Sequence, residues 1–241
     1  IINLAAQAGV RHSLENPYVY INSNILGQVN MLELAKELKI KKYIYASSSS
    51  VYGGNKSLPF SVKDRVDNPV SLYAASKKST ELIAEYYSHL YKLKSIGLRF
   101  FTVYGPWGRP DMATFIFTKN IINGKPINIF NYGKMKRDFT YIDDIVSGIY
   151  GSINLKMKKH HKVYNLGNSK SESLSEFIKL IEKNLNKKAK KNYLPLQPGD
   201  VPATFADISE SKKDLKFVPK VKINEGIPRF IDWFKKYYKL L

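Results

Sequence analysis

The first hundred residues alternate short apolar runs with longer stretches of helical periodicity. The apolar runs lie at 1–6, 43–46 and 95–105, and apolar residues recur at helical spacing over 24–38 and about 72–91. Two neighbouring parallel strands need a crossover of a dozen or more residues, which a helix usually supplies. The order strand–helix–strand–helix–strand therefore predicts an α/β fold with a parallel sheet that helices cover on both faces.

The pattern changes after Pro106, where the predicted elements become mixed. The periodicity predicts helices over 114–123, 143–155, 174–185 and 224–238, and strands over 127–130, 137–141 and 163–166. We therefore expect two parts. Residues 1–105 contribute to the parallel sheet, and residues 106–241 mainly form a smaller mixed α/β lobe, with some segments returning to the sheet.

The composition excludes several classes of protein. The chain has no cysteine, which rules out disulfides and thiolate metal sites and fits the cytoplasm, and no apolar run reaches the roughly 18 residues that span a bilayer. The net charge of +19 would suit a polyanion-binding protein, but only six of the 39 basic residues are arginine. Proteins that read phosphates and bases rely on the planar fork of arginine. A solvated, lysine-rich surface is therefore favoured, and we expect neither nucleic acid nor membrane as a partner.

Tyr73 and Lys77 form the pair that most strongly suggests chemistry. They stand four residues apart in a predicted helix, so both side chains lie on one face. An ammonium group near a phenol favours the phenolate and lowers the tyrosine pKa, which would make Tyr73 a general base near neutral pH. The same spacing also occurs in ordinary amphipathic helices, so the pair alone does not establish a site.

Two neighbouring segments place this pair in a crevice. Four serines, residues 47–50, follow the second predicted strand, and the third strand ends in Thr102–Gly105. Ligands of parallel α/β sheets bind beyond the carboxyl ends of the strands. We therefore expect both segments to lie beside Tyr73.

Six segments together resemble the nucleotide-sugar epimerases and dehydratases of the extended short-chain dehydrogenase/reductase superfamily, and are most similar to UDP-glucuronate 4-epimerases. They are LAAQAGVR (4–11), YASSSSVYGG (45–54), PVSLYAASKK (69–78), GLRFFTVYGPWGRPDMA (97–113), GKMKRDFTYIDDI (133–145) and QPGDVPATFADI (197–208). The resemblance implies a Rossmann-like doubly wound parallel sheet that binds NAD, formed in part by residues 1–105. It also implies a smaller mixed α/β lobe, mainly residues 106–241, that binds the nucleotide sugar.

The resemblance also implies roles for individual residues. The catalytic residues would be Tyr73, Lys77 and Ser48; the NAD-binding residues Ala5, Ala6, Gln7, Asn24, Lys77 and Tyr104; and the substrate-binding residues Ser49, Ser50, Thr102, Arg109, Arg137 and Asp200. Tyr73 would exchange the proton of the sugar 4-hydroxyl, Ser48 would hold that hydroxyl, and Arg137 would bind the diphosphate. Arg109 would bind the sugar carboxylate, since a guanidinium pairs with a carboxylate through two parallel bonds. No metal ion is implied.

Two positions decide which reaction the resemblance implies. The related 4,6-dehydratases are similar at this point but carry Asp and Glu where this chain has Ser49 and Ser50. Neutral serines cannot supply the acid and base that loss of water needs, so they favour simple epimerisation. The expected reaction is UDP-glucuronate to UDP-galacturonate through a 4-keto sugar. Alternatives are a UDP-glucose or UDP-N-acetylglucosamine 4-epimerase, another nucleotide-sugar epimerase or dehydratase, and a polyanion-binding module without activity.

The chain departs from the family pattern in two ways. Gln197 stands where some UDP-hexose epimerases have Arg, and no Gly-rich turn of the form G-x-x-G-x-x-G, which would hold the NAD pyrophosphate, occurs. By comparison with the family, on the order of 80 residues would precede Ile1. We expect a piece of a longer protein rather than a repurposed binding module, because Tyr73, Lys77 and Ser48 are all present. Such a piece would bind NAD weakly. The superfamily also implies a homodimer through the helices at 24–38 and 73–91.

Overall fold

A computed structural model describes residues 1–240; the last residue of the predicted lobe, Leu241, lies outside the described residues. Among residues 1–240, every helix is too short or too polar to cross a bilayer. The elements follow in the order β1 (Ile2–Asn3), α1 (His12–Glu15), α2 (Pro17–Tyr20), a π-helical segment (Ile21–Leu26), α3 (Gly27–Glu37), β2 (Lys42–Ser48), a 3₁₀ segment (Ser49–Tyr52), α4 (Leu72–Tyr91), β3 (Lys94–Phe100), β4 (Thr102–Tyr104), α5 (Ala113–Ile122), β5 (Ile127–Ile129), a 3₁₀ segment (Phe130–Gly133), β6 (Lys136–Arg137), β7 (Phe139–Tyr141), α6 (Ile142–Asn154), β8 (His161–Leu166), β9 (Glu172–Ser173), α7 (Leu174–Leu185), β10 (Lys191–Tyr193), α8 (Ser209–Leu215) and α9 (Ile223–Tyr237).

Four strands form one parallel sheet in the order β1–β2–β3–β8. Successive side chains of a strand point to opposite faces, so β2 contributes to two clusters. On one face, Tyr43 and Tyr45 pack with Leu32 of α3 and Ala84 of α4. On the other face, Ile44 packs in a cluster that includes residues of α6 and α8. The prediction of a parallel α/β sheet covered on both faces is confirmed.

The second half of the chain has a core of its own around β4, β5 and β7. β4 pairs with β7, and β5 pairs with β10, each in a two-stranded parallel sheet. The rings of Phe139 and Phe177 stack with centroids 3.9 Å apart, and Ile181 of α7 and Phe230 of α9 belong to the same cluster. β8 instead returns to the main sheet beside β3. Since β3 continues almost directly into β4, the carboxyl edge of the main sheet borders this core.

The first strand differs most from its prediction. Only Ile2 and Asn3 pair with β2, and Leu4 is half exposed, so the expected buried strand over 1–6 is wrong. The Asn3 Oδ1 accepts a hydrogen bond from the Ala5 N–H at 3.2 Å, a local turn of a kind that competes with strand pairing. The predicted strand over 95–105 divides at Phe101, between β3 and β4.

Candidate active site

The helix α4 carries Tyr73 and Lys77 one turn apart. Ser71 caps the helix, and its Oγ accepts a hydrogen bond from the Ala74 N–H at 3.1 Å. This cap fixes where the helix begins and so places Tyr73 in its first turn. Lys77 is 4% exposed, and its Nζ donates to the Ala46 carbonyl at 2.8 Å. Burial lowers the pKa of Lys77 from 10.5 to about 8, because the charged form loses hydration.

The Tyr73 ring lies half-buried against the edge of Tyr20, with centroids 6.0 Å apart and an interplanar angle of 71°. Burial raises the pKa of Tyr73, while a hydrogen bond with the Ser48 side chain and the positive charge of Arg109 lower it. The expectation that Lys77 lowers this pKa is wrong for this structure. The net shift is upward, and the positive charge that opposes it is that of Arg109.

Ser48 occupies the last position of β2 and is buried. Its Oγ accepts a hydrogen bond from the Ser50 N–H at 3.1 Å, which caps the 3₁₀ segment that begins at Ser49. A hydroxyl has one donor as well as two lone pairs, so the Ser48 hydroxyl can still donate a hydrogen bond to the Tyr73 oxygen or to a ligand. The three predicted serines therefore stand together at the carboxyl end of β2.

Asn24 ties the loop after β1 to α4. It is buried in the π-helical segment. Its side-chain oxygen accepts a hydrogen bond from the Gln7 N–H at 2.8 Å, and its side-chain nitrogen donates one to the Gln7 carbonyl at 3.0 Å. The same Nδ2 donates to the Ser76 Oγ at 2.9 Å. These bonds fix the turn that follows Ala5 and Ala6, which are exposed beyond the end of β1.

Arg109 lies in the exposed loop after β4. Its Nε and Nη2 each donate to a different carboxylate oxygen of Asp111 at 3.0 Å, a two-point pairing of the kind predicted for a uronate. Its charge also acts on the pKa of Tyr73. Thr102, half-buried at the start of β4, is anchored through its N–H to the Asp138 carbonyl at 3.1 Å. The charge of Arg109 therefore lies close enough to Tyr73 to lower the pKa of its hydroxyl.

Two of the predicted substrate-binding residues, Arg137 and Asp200, lie together with a third charged residue, Arg11, which the sequence reasoning missed. Arg11 Nη2 lies 3.4 Å from Asp200 Oδ2, and its guanidinium lies 4.4 Å from the centre of the Phe130 ring. Burial and the charge of Arg11 lower the pKa of Arg137, and Asp200 opposes them. Arg11 is the last residue of the segment 4–11 that resembles the family, and that resemblance is the signal that could have identified Arg11 as a site residue.

Tyr104 is the last residue of β4. It is 3% exposed and packs in the core of the second half, edge-on to Tyr141 and Phe177, with no hydrogen-bond partner for its hydroxyl among residues 1–240. β4 leaves the main sheet and pairs with β7, where Tyr104 stands opposite Tyr141. The role of Tyr104 in holding the cofactor stays a prediction.

A buried ionic network beneath the site was also missed. Glu81, one turn after Lys77 on α4, receives two bonds of 2.8 Å from Arg99 of β3 and one of 2.6 Å from Ser47 of β2. Arg99 also donates to the Tyr52 hydroxyl at 3.1 Å. The network joins the helix of Tyr73 and Lys77 to the two strands whose ends complete the site. A glutamate four residues after Lys77 was the available signal.

Comparison with known proteins places this arrangement among related chains. Residues 1–167 match the family described as the NAD dependent epimerase/dehydratase family. Protein CapI of Staphylococcus aureus is 52% identical over 99% of this chain and 76% of its own length. A probable UDP-glucuronate 4-epimerase of Rhizobium meliloti is 46% identical over 99% of this chain and 75% of its own length. The crystal structure of UDP-glucuronic acid 4-epimerase from Bacillus cereus, in complex with UDP-glucuronic acid and NAD, is 37% identical with a TM-score of 0.91, over 98% of this chain and 74% of that chain.

Proposed function

The chain belongs to the NAD dependent epimerase/dehydratase family, and from that premise we propose that it inverts C4 of a UDP-sugar, converting UDP-glucuronate to UDP-galacturonate through a transient 4-keto sugar. The observation that carries the proposal is the grouping of Tyr73 with Ser48 and Arg109. Ser48 and Arg109 both lie near enough to Tyr73 to lower its pKa. The names of the relatives in Rhizobium meliloti and Bacillus cereus support the same substrate.

NAD is the cofactor that the family implies, and the residues of this chain fit it. An ammonium has three donors, and within residues 1–240 Lys77 uses one of them on the Ala46 carbonyl, which leaves donors for ribose hydroxyls. Ala5 and Ala6 present small, exposed side chains next to the Gln7 turn. These residues would hold NAD, which when bound would supply the hydride acceptor and donor for C4.

The protein's own part in the reaction is to move one proton and to orient the sugar. Tyr73 as phenolate takes the proton of the 4-hydroxyl, and Ser48 holds the same oxygen through its hydroxyl. After the 4-keto sugar has turned its other face, Tyr73 returns the proton to the oxygen. Because burial raises the pKa of Tyr73, the phenolate depends on nearby positive charge, and Arg109 already lowers that pKa.

Arg109 would distinguish a uronate from a neutral sugar. Arg109→Ala should raise the dissociation constant for UDP-glucuronate about tenfold or more, since a hydrogen bond to a charged group is worth ~1.5–3 kcal/mol, while UDP-glucose binding changes less than about twofold. Arg65→Ala is the matched control, because Arg65 is also exposed and pairs with an aspartate two residues later, Asp67, at 3.2 Å. Equal weakening for both sugars in Arg109→Ala would exclude a uronate carboxylate as its partner.

The protein is also proposed to form a homodimer through the helices predicted at 24–38 and 73–91. Large apolar side chains stand exposed along them: Leu34, Leu38, Leu82, Tyr86 and Leu90. Contiguous exposed apolar side chains of this kind mark interaction surfaces. Light scattering should give twice the chain mass for wild type and the single mass for Leu82→Lys; a wild-type monomer at micromolar concentration would contradict the proposal.

A further inference from the structure

The loop that carries Arg109 has an unusual backbone at Trp107. Trp107 has φ +63°, in the left-handed region, and its side chain is 73% exposed. A bulky residue rarely adopts this conformation unless the surroundings hold it there. The turn on either side is short, with the Gly108 N–H donating to the Gly105 carbonyl at 3.2 Å and the Met112 N–H to the Arg109 carbonyl at 3.2 Å. The position of Arg109 therefore depends on what holds Trp107.

Two rings of the C-terminal helix α9 contact Trp107. The Trp233 centroid lies 5.4 Å away at 58°, and the Tyr237 centroid lies 5.1 Å away at 78°. Trp233 and Tyr237 also stack on each other at 5.4 Å and 22°. Trp233 in turn packs on Phe230, which is buried in the core of the second half. The exposed loop is thus connected to that core through one aromatic cluster.

We propose that Trp233 and Tyr237 are positioning residues that hold the Trp107 turn and thereby set the protein's preference for uronate over neutral sugars. The proposal rests on the proposed function, in which Arg109 binds the sugar carboxylate. Arg109 is two residues beyond the strained position, and its local partners in residues 1–240 are Asp111 and Met112 of the same loop. Outside the loop, Trp107 packs on Trp233 and Tyr237 of α9. A substitution in α9 should therefore shift the position of Arg109 and leave the position of Tyr73 unchanged.

Tyr237→Ala tests this directly, because the residue is exposed and makes no side-chain hydrogen bond among the described residues. Tyr238→Ala is the matched control: it removes the neighbouring exposed ring, which packs on Phe115, Phe234 and Tyr237 but not on Trp107. Calorimetric titration should show UDP-glucuronate binding weakened about 2- to 10-fold in Tyr237→Ala, the loss expected for one aromatic pair, with UDP-glucose binding unchanged. Tyr238→Ala should leave both unchanged.

A spectroscopic readout distinguishes positioning from general loss of structure. Trp107 and Trp233 are the two tryptophans of the chain, so near-ultraviolet circular dichroism and tryptophan emission report on their contact. UDP-glucuronate should alter these signals in wild type more than UDP-glucose does, and Tyr237→Ala should reduce that difference while the far-ultraviolet spectrum stays the same.

The outcomes separate this inference from the function on which it rests. If Arg109→Ala selectively weakens UDP-glucuronate but Tyr237→Ala leaves the preference unchanged, the positioning role is wrong and the proposed function stands. If neither variant changes the preference, the positioning role and the assignment of Arg109 to the sugar carboxylate are both wrong. If Tyr237→Ala weakens the binding of UDP-glucuronate and UDP-glucose equally, α9 stabilises the lobe in general and the positioning role is again overturned.

Discussion

Lys77→Met should make the protein more stable while removing its activity. Burial lowers the pKa of Lys77 from 10.5 to about 8, and each pKa unit corresponds to 1.36 kcal/mol, so keeping the ammonium charged costs the folded state about 3 kcal/mol near pH 7. The bond from Lys77 to the Ala46 carbonyl returns about 1 kcal/mol. Methionine has a similar length and no charge, so the net gain in the free energy of unfolding should be about 2 kcal/mol.

The gain should depend on pH in a defined window. The folded chain holds the Lys77 proton less tightly than the unfolded chain, so the unfolded state binds more protons between about pH 8 and pH 10.5. Wild-type stability therefore rises relative to Lys77→Met as the pH increases through that window, while below about pH 8 the penalty is complete and constant.

Urea unfolding at a series of pH values measures this difference. Lys78→Met is the control on the same helix; Lys78 lies 3.7 Å from Glu81, so losing it should lower stability slightly rather than raise it. A Lys77→Met protein less stable than wild type at pH 7 by more than about 1 kcal/mol, or a difference that does not shrink above pH 8, would refute the reasoning.

Three further changes test the packing around the site, all by urea unfolding. Tyr104→Phe should raise stability by about 1 kcal/mol or leave it unchanged, because its buried hydroxyl has no partner among residues 1–240, whereas Tyr164→Phe, which gives up a bonded hydroxyl, should lower it. Gly226→Ala should destabilise, since the added carbon would meet the Tyr104 hydroxyl, and less so in the Tyr104→Phe background; equal losses would contradict that contact. Glu81→Ala should cost ~3–5 kcal/mol because it strands the Arg99 charge in the interior, and an added Arg99→Met should recover much of it; no recovery would argue against a stranded charge.

The helices that carry or flank the site could be predicted closely because local signals mark their ends. The helix predicted over about 72–91 begins after Ser71, whose side chain caps it, and ends at Lys92 in a left-handed conformation. The helix predicted over 174–185 begins after Ser173, which caps it in the same way, and ends at Asn186 with φ +49°. Such patterns need only neighbouring residues, so the sequence displays them.

Two of the errors concern contacts between distant residues. Residues 95–105 read as one strand, but the backbone partner changes from Leu166 at Phe101 to Asp138 at Thr102, so the chain passes from one sheet to the other. Nothing local in the apolar run marks that change, and it determines where Tyr104 points. The grouping of Arg11 with Asp200 likewise joins positions 189 residues apart.

Inversion at C4 is the measurement that tests the central claim most directly. The gene product that contains this chain is given NAD and UDP-glucuronate carrying deuterium at C4, and the products are separated and analysed by nuclear magnetic resonance. The account predicts UDP-galacturonate that keeps its deuterium at C4, and a rate that falls about 10²-fold or more in Tyr73→Phe, since general acid–base catalysis contributes ~10²–10⁴. Product with solvent hydrogen at C4, or Tyr73→Phe activity within about tenfold of wild type, would contradict it.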